Sequence, residues 1–168
     1  NPRAMPFAID LGVAMQLTNI ARDIREDALN GRRYVPATWL AGASAADIAD
    51  PNASLKPRLQ AASQRLIELA ELYYESAYNG FGFLPGRSRF AILIAARVYR
   101  QIGLKLKHLN FAIWRGRIVV STAEKIMVAG AATAAYLTEL RIHQCTLEHN
   151  TELHVSLQGF AGTKQQAK

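Results

Sequence analysis

Cysteine is almost missing from these 168 residues: Cys145 stands alone. One thiol cannot close a disulfide within the chain, so no cystine framework holds the fold, and the usage suits a reducing, cytoplasmic compartment. Cys145 itself reads as a small buried apolar group. No basic-then-apolar leader opens the sequence, and its longest apolar run, "IMVAGAATAAYL", falls short of the roughly 18 to 20 residues that cross a bilayer. The expectation is a protein free in the cytoplasm or held peripherally on the inner face of a membrane. Sustained polar–apolar alternation is missing as well, which removes half-buried strands. Acidic residues are absent from Ser76 to Ala123, while Arg87, Arg89, Arg97, Arg100, Lys105, Lys107, Arg115 and Arg117 all fall there. Within a net charge of +7, that stretch favours anionic partners, either a phosphorylated small molecule or anionic lipid. Zinc-finger spacing, an RNA-recognition motif and a basic zipper are all lacking, so nucleic acid is not expected. A first methionine is lacking too, and Asn1 in its place predicts a processed chain or the C-terminal portion of a longer one.

What is present is helix. The length suits one domain, residues 1–168, with 155–168 expected as a flexible tail and "GFAGTKQQAK" frayed. Periodicity predicts an all-α fold, a bundle of long helices. The first helix runs from about Phe7 to Leu29 and stops at Asn30-Gly31. A mostly irregular connection follows, with a short helical turn near Ala45 to Ile48. Further helices run from about Pro57 to Tyr78 and from Pro85 or Ser88 to Leu109. The last begins at a capping box, Ser121-Thr122-Ala123-Glu124, and is expected to reach about Glu148. The four histidines fall at spacings that form no ligand set, and surface or core roles are expected for them.

The stretch "QLTNIARDIREDALNGRRYVP" concentrates the chemistry. At about 100° per residue, Gln16, Asn19, Asp23 and Asp27 share an arc of about 80°, with Glu26 at its edge. Val13, Ala14, Leu17, Ile20, Ala21, Ile24 and Ala28 form the adjoining apolar face, so the polar stripe borders the core, and Arg22 and Arg25 point elsewhere. Carboxylates one turn apart stand roughly 5 to 6 Å apart at Cβ and repel each other unless a cation lies between them. Mg²⁺ takes such a site, using a few carboxylates together with waters and phosphate oxygens. Asn19 can add a neutral oxygen. The competing reading pairs Asp23, Glu26 and Asp27 with Arg22, Arg25, Arg32 and Arg33 on a wet surface.

The same stretch resembles the second aspartate-rich motif of the squalene and phytoene synthase family, the trans-isoprenyl diphosphate synthases that join prenyl units head to head. Gln16, Asn19, Arg22, Asp23, Glu26, Asp27, Gly31, Arg32, Tyr34 and Pro36 match its spaced pattern. "FGFLPGRSRFAILIAARVYRQIG", with Ala96-Arg97-Val98-Tyr99, and "RGRIVVSTAEKIMV", with Arg117 and Lys125, are similar to the segments that follow. The resemblance is to the bacterial phytoene-forming branch, covers about residues 8 to 130, and implies an isoprenoid-synthase bundle of which this is the C-terminal part.

It further implies a prenyltransferase that condenses two geranylgeranyl diphosphates to phytoene through a cyclopropylcarbinyl diphosphate, without NADPH. Asp23 and Asp27, with Asn19, would hold Mg²⁺, Mn²⁺ being able to substitute. Gln16, Asn19, Arg22, Tyr34, Arg117 and Lys125 would bind substrate. Tyr99 would act near the departing diphosphate, unless it simply packs in the core. The family's earlier Asp-x-x-x-Asp motif has no counterpart here, so the chain is expected to be inactive alone. Two alternatives stand beside this: a farnesyl-using relative that makes squalene, dehydrosqualene or hydroxysqualene, and a non-catalytic helical relative acting as an assembly or binding module.

Overall fold

The fold is seen in a computed structural model, which describes residues 2–145 and 148–157. It is all-α, with no strand among the described residues. Helix α1 spans Met5–Leu29 and ends where the sequence places the stop. Gly31 takes a left-handed φ of +72°, its amide donates to the Ala28 carbonyl at 2.9 Å, and the Arg32 amide donates to the Asp27 carbonyl at 2.8 Å. This Schellman arrangement needs a residue without Cβ strain at Gly31.

α1 runs antiparallel to the helix at Lys56–Tyr78, which becomes α3 because a short α2, Ala45–Ala49, precedes it. Ala14, Ala21 and Ala28 recur every two turns on the buried face of α1, and their small side chains let the two backbones approach closely. The Ser63 hydroxyl reaches the Ala21 carbonyl at 3.5 Å. Thr18 donates to the Ala14 carbonyl at 2.8 Å and shares a hydrogen bond with the buried Tyr74 hydroxyl at 3.2 Å. Burial pushes the Tyr74 phenol up to about 12, against the opposing pull of the Thr18 bond.

The connection between α1 and α3 is more ordered than its turn-rich composition suggests. A 3-10 turn at Ala37–Leu40 leads to α2, whose first turn is closed by a reciprocal cap between Ser44 and Asp47. Val35, Leu40, Ile48 and Leu55 are buried in one cluster with Ala21, Ile24, Leu59 and Leu66. Burying these apolar side chains fixes the segment to α1 and α3.

α4 covers Gly86–His108 and α5 covers Thr122–Thr138. Arg100 links α4 to α3 by donating to Glu71 at 2.7 Å and Glu75 at 3.0 Å. After α4 the chain reverses through Asn110 and Phe111, both at positive φ. Ile118 and Val120 are buried in the following extended residues while Arg117 and Val119 face out. The Ser121–Glu124 capping box forms as expected. Lys105 of α4 holds the same carboxylate, donating to its two oxygens at 2.8 and 2.9 Å. α5 packs on α4 through Ala132 and Ala135, and Ile126, Met127 and Leu137 stand exposed.

Two expectations are corrected. α5 stops at Thr138, a long way before Glu148, because tertiary contacts outbid helix propensity there. Arg97 donates to the Ala131 carbonyl at 3.3 Å and to Glu139 at 3.2 Å. The chain then folds back as a 3-10 turn, Leu140–His143, with Ile142 fully buried beside Phe81 and Arg89 against His143 Nδ1 at 2.7 Å. Cys145 is exposed rather than buried, since it lies just past this fold-back. Of the tail, residues 155–157 end a further 3-10 segment, Thr151–Leu157; residues 158–168 lie outside the described residues.

Gly80 and Gly82 mark the close approaches behind this fold-back. A Cβ on Gly80 would overlap the Phe7 side chain, and one on Gly82 would overlap the Gln144 backbone. Gly80→Ala and Gly82→Ala should each destabilise by about 1 to 3 kcal/mol, read from urea unfolding; unchanged midpoints would contradict the packing. Glu124 gives a pH prediction. The Lys105 bond, then the Ser121 amide and hydroxyl, hold its carboxyl down to about 2 from an ordinary 4.5. A depressed folded-state value stabilises fully above the unfolded value, and the contribution is lost as pH falls through the folded one. The thermal advantage of the parent over Glu124→Gln should therefore be complete at neutral pH and shrink between about pH 4.5 and 2.

Candidate functional site

α1 carries the predicted stripe beside the core. Gln16 is exposed and Asn19, Asp23, Glu26 and Asp27 are half-buried. Asn19 Oδ1 and Glu26 Oε2 are buried without a hydrogen-bond partner among the described residues. An orphaned buried oxygen costs about 1 to 3 kcal/mol unless something meets it. These atoms and the carboxylates of Asp23 and Asp27 lie along one stripe of α1, and oxygen is the donor type that suits a hard cation such as Mg²⁺ or Mn²⁺.

Asp23 is the charged centre of the stripe. Arg22 donates to it through Nε at 2.8 Å and through Nη2 at 2.5 Å. Arg22 thus does not point away as its helical angle suggests; its long stem bends back to the adjacent carboxylate. A second arginine arrives from far along the chain, Arg117 Nε donating to Asp23 Oδ1 at 3.2 Å. Burial pushes the Asp23 carboxyl up, but the hydrogen bonds and charges of Arg22 and Arg117 outweigh that and hold it below its ordinary value. The Asp23 bond raises the Arg22 guanidinium in turn. Asp23 is therefore ionised, which a metal ligand requires.

Asp27 does not share these arginines. It lines a small hollow with Ile20, Ile24, Arg33, Tyr34, Val35 and Ile48. Arg33 donates to the Ala43 carbonyl at 2.6 Å, and Arg25 donates to the Ala49 carbonyl at 3.1 Å. The wet-surface reading of mutual neutralisation thus fits Asp23 with Arg22, whereas Arg25 and Arg33 hold backbone instead. Tyr34 is exposed at the rim of the hollow. Tyr99 is half-buried and packs against two core clusters, which Leu17 of α1 also meets, and its electrostatic influence reaches both Arg22 and Tyr74. Lys125 is exposed on the first turn of α5; Arg117 is the basic residue of that region that meets the stripe.

One constellation escapes the sequence reading. His149 and His154, placed there in no ligand set, both donate to the buried Asp10, at 2.8 Å and 2.7 Å. The signal was in the angular count: at 100° per residue Asp10 falls in line with Ala28, in the middle of the apolar face of α1. An ionisable group there demands a partner.

A family model described as "Squalene/phytoene synthase" matches residues 1–124. The chain is 47% identical over 133 residues to a 15-cis-phytoene synthase of Enterobacter agglomerans, taking in 78% of this chain and 44% of that protein. It is 43% identical to a 15-cis-phytoene synthase of Pantoea ananas, over 81% of this chain and 44% of that protein. It is 46% identical to one of a Paracoccus strain, over 73% and 40%. The chain thus spans less than half the length of these curated relatives. No solved structure matches it significantly.

The two-arginine grip on Asp23 is directly testable. Arg117→Ala and Arg22→Ala should each raise the apparent pKa of the Asp23 carboxyl, followed by carbon-13 titration of labelled aspartate, because each removes a bond that stabilises the anion. No movement in either variant would mean that the guanidinium groups do not set its charge.

Proposed function

The chain belongs to the squalene/phytoene synthase family, and from that membership we propose that it carries the α1 half of the diphosphate site of a prenyltransferase that joins two geranylgeranyl diphosphates into phytoene. The observation that carries the reading is the unpartnered Asn19 oxygen, buried one turn from Asp23. The relatives' names supply the product.

Asp23 and Asp27 hold the cation in this reading, and Asn19 supplies a neutral ligand or orients a bound water. Mg²⁺, or Mn²⁺ in its place, supplies Lewis-acid stabilisation of the departing diphosphate when bound. Arg117 and Arg22, already at Asp23, exchange part of that contact for diphosphate oxygens, and Lys125, Gln16 and Tyr34 meet the same group from the rim. Tyr99 orients its hydroxyl toward the leaving group from α4. The rest of the synthase domain supplies the facing carboxylates and covers the exposed apolar side chains of α5, closing a dry cavity in which these charges act strongly. The final step is loss of a proton, so NADPH is not consumed.

No helix among the described residues is long and apolar enough to cross a membrane. The substrates and product are lipid, and the reading places the enzyme in the cytoplasm with peripheral contact to the inner membrane face.

The test uses the protein at its full natural length, supplied with Mg²⁺ and either geranylgeranyl or farnesyl diphosphate. Phytoene from the longer donor is expected. Asp27→Asn should lower kcat by about 100- to 1,000-fold, the scale of losing one electrostatic stabiliser, with unchanged helicity by circular dichroism. Hydrocarbon from farnesyl diphosphate alone would overturn the chain length, and absence of diphosphate release from both would overturn the catalytic reading.

A further inference from the structure

Near the start of α1, on the core side, Asp10 is fully buried. Among the described residues its ion-pair partners are His149 and His154 alone. His149 Nε2 lies 2.8 Å from Oδ2 and His154 Nε2 lies 2.7 Å from Oδ1. The three ligand atoms all fall within 4.8 Å of one another, and the two imidazole rings are 4.3 Å apart at their centroids. Ser76 of α3 donates to Asp10 Oδ2 at 2.6 Å.

We propose that Asp10, His149 and His154 form a second metal site, taking a zinc-class divalent ion that pins the segment at Thr151–Leu157 to α1 and α3. Two imidazole nitrogens and one carboxylate oxygen are borderline donors, suited to zinc rather than to the magnesium that an all-oxygen set prefers. Both histidines present Nε2 to the Asp10 carboxylate, one to each oxygen. The Ser76 hydroxyl supports the carboxylate from outside, the place of an outer partner that orients a metal ligand. An isolated buried carboxylate is expensive, and a divalent ion would neutralise it, each neutral imidazole moving its proton to Nδ1 and presenting the Nε2 lone pair to the ion. Three protein ligands leave a fourth position for water or for the Ser76 oxygen.

The site is separate from the diphosphate site. Asp10 lies thirteen positions before Asp23 on one helix, about 20 Å along its axis at 1.5 Å per residue. The proposal stands whether or not the chain synthesises phytoene, since its readout is metal content.

The intact protein, purified without a histidine tag and with Asp23→Asn and Asp27→Asn removing the other site, is loaded with Zn²⁺, dialysed and analysed by mass spectrometry; Co²⁺ in its place gives a visible spectrum. About one equivalent is expected to remain, with the intense visible bands of a four-coordinate cobalt site. His149→Gln and His154→Gln should lose it while keeping an N–H to donate to Asp10, so the fold survives, checked by circular dichroism. Ser76→Ala should weaken binding about 10- to 100-fold, the usual cost of an outer partner. No retained zinc in the parent, or equal zinc in both glutamine variants, would overturn the site and leave a purely hydrogen-bonded clasp.

Discussion

Everything in this chain depends on how closely α1 can lie on α3. Ala14, Ala21 and Ala28 present nothing larger than a methyl to the partner helix, so backbone-near contacts such as Ser63 to the Ala21 carbonyl become possible. With that contact made, the rotation of α1 about its axis is fixed. One side must then be core, and the side next to it must carry Asn19, Asp23 and Asp27. A larger residue at any of the three alanines would push α3 outward and loosen the packing that sets the rotation of the polar stripe.

The remaining elements bring charge to that stripe or secure its ends. The Schellman closure at Gly31 halts α1 just past Asp27 and turns the chain so that Tyr34 and Val35 wall the hollow beside it. The left-handed turn at Asn110 and Phe111 redirects the chain after α4, and the buried pair Ile118 and Val120 leaves Arg117 outside and facing Asp23. At the other end of α1, Phe7 sits over Gly80 and stacks on Phe83. His149 meets the same ring edge-on, so the C-terminal segment and the start of the site-bearing helix share one anchor.

Local signals in the sequence carried most of the helices. The stop at Asn30-Gly31 and the capping box at Ser121 are written within a few residues and form as read. The end of α5 is not written there, because what stops it is Arg97 gripping Glu139 from another helix and Ile142 finding a core site beside Phe81. The stripe itself was legible from helical angles, but the behaviour of Arg22 was not: an angle locates Cβ, and a guanidinium on three methylenes can reach around to the next residue. Arg117 could be named as basic, yet its contact with Asp23 spans 94 positions. Asp10 was readable as a misplaced charge, while the histidines that answer it lie beyond 139 and 144 intervening steps.

The fork that Arg22 makes on Asp23 changes what arrival at this carboxylate means. A bare anion gains a counter-ion when a cation comes, whereas on the proposed reading a cation reaching Asp23 would have to exchange an arginine that is tethered one residue away. Occupancy is then set by a difference between two attractions, so each bound state is held less tightly than its charges alone would give. The displaced arginine stays within reach to take the carboxylate back. On the proposed reading such a site would reset itself after each departure, which is what repeated turnover with a strongly bound diphosphate product would demand of it.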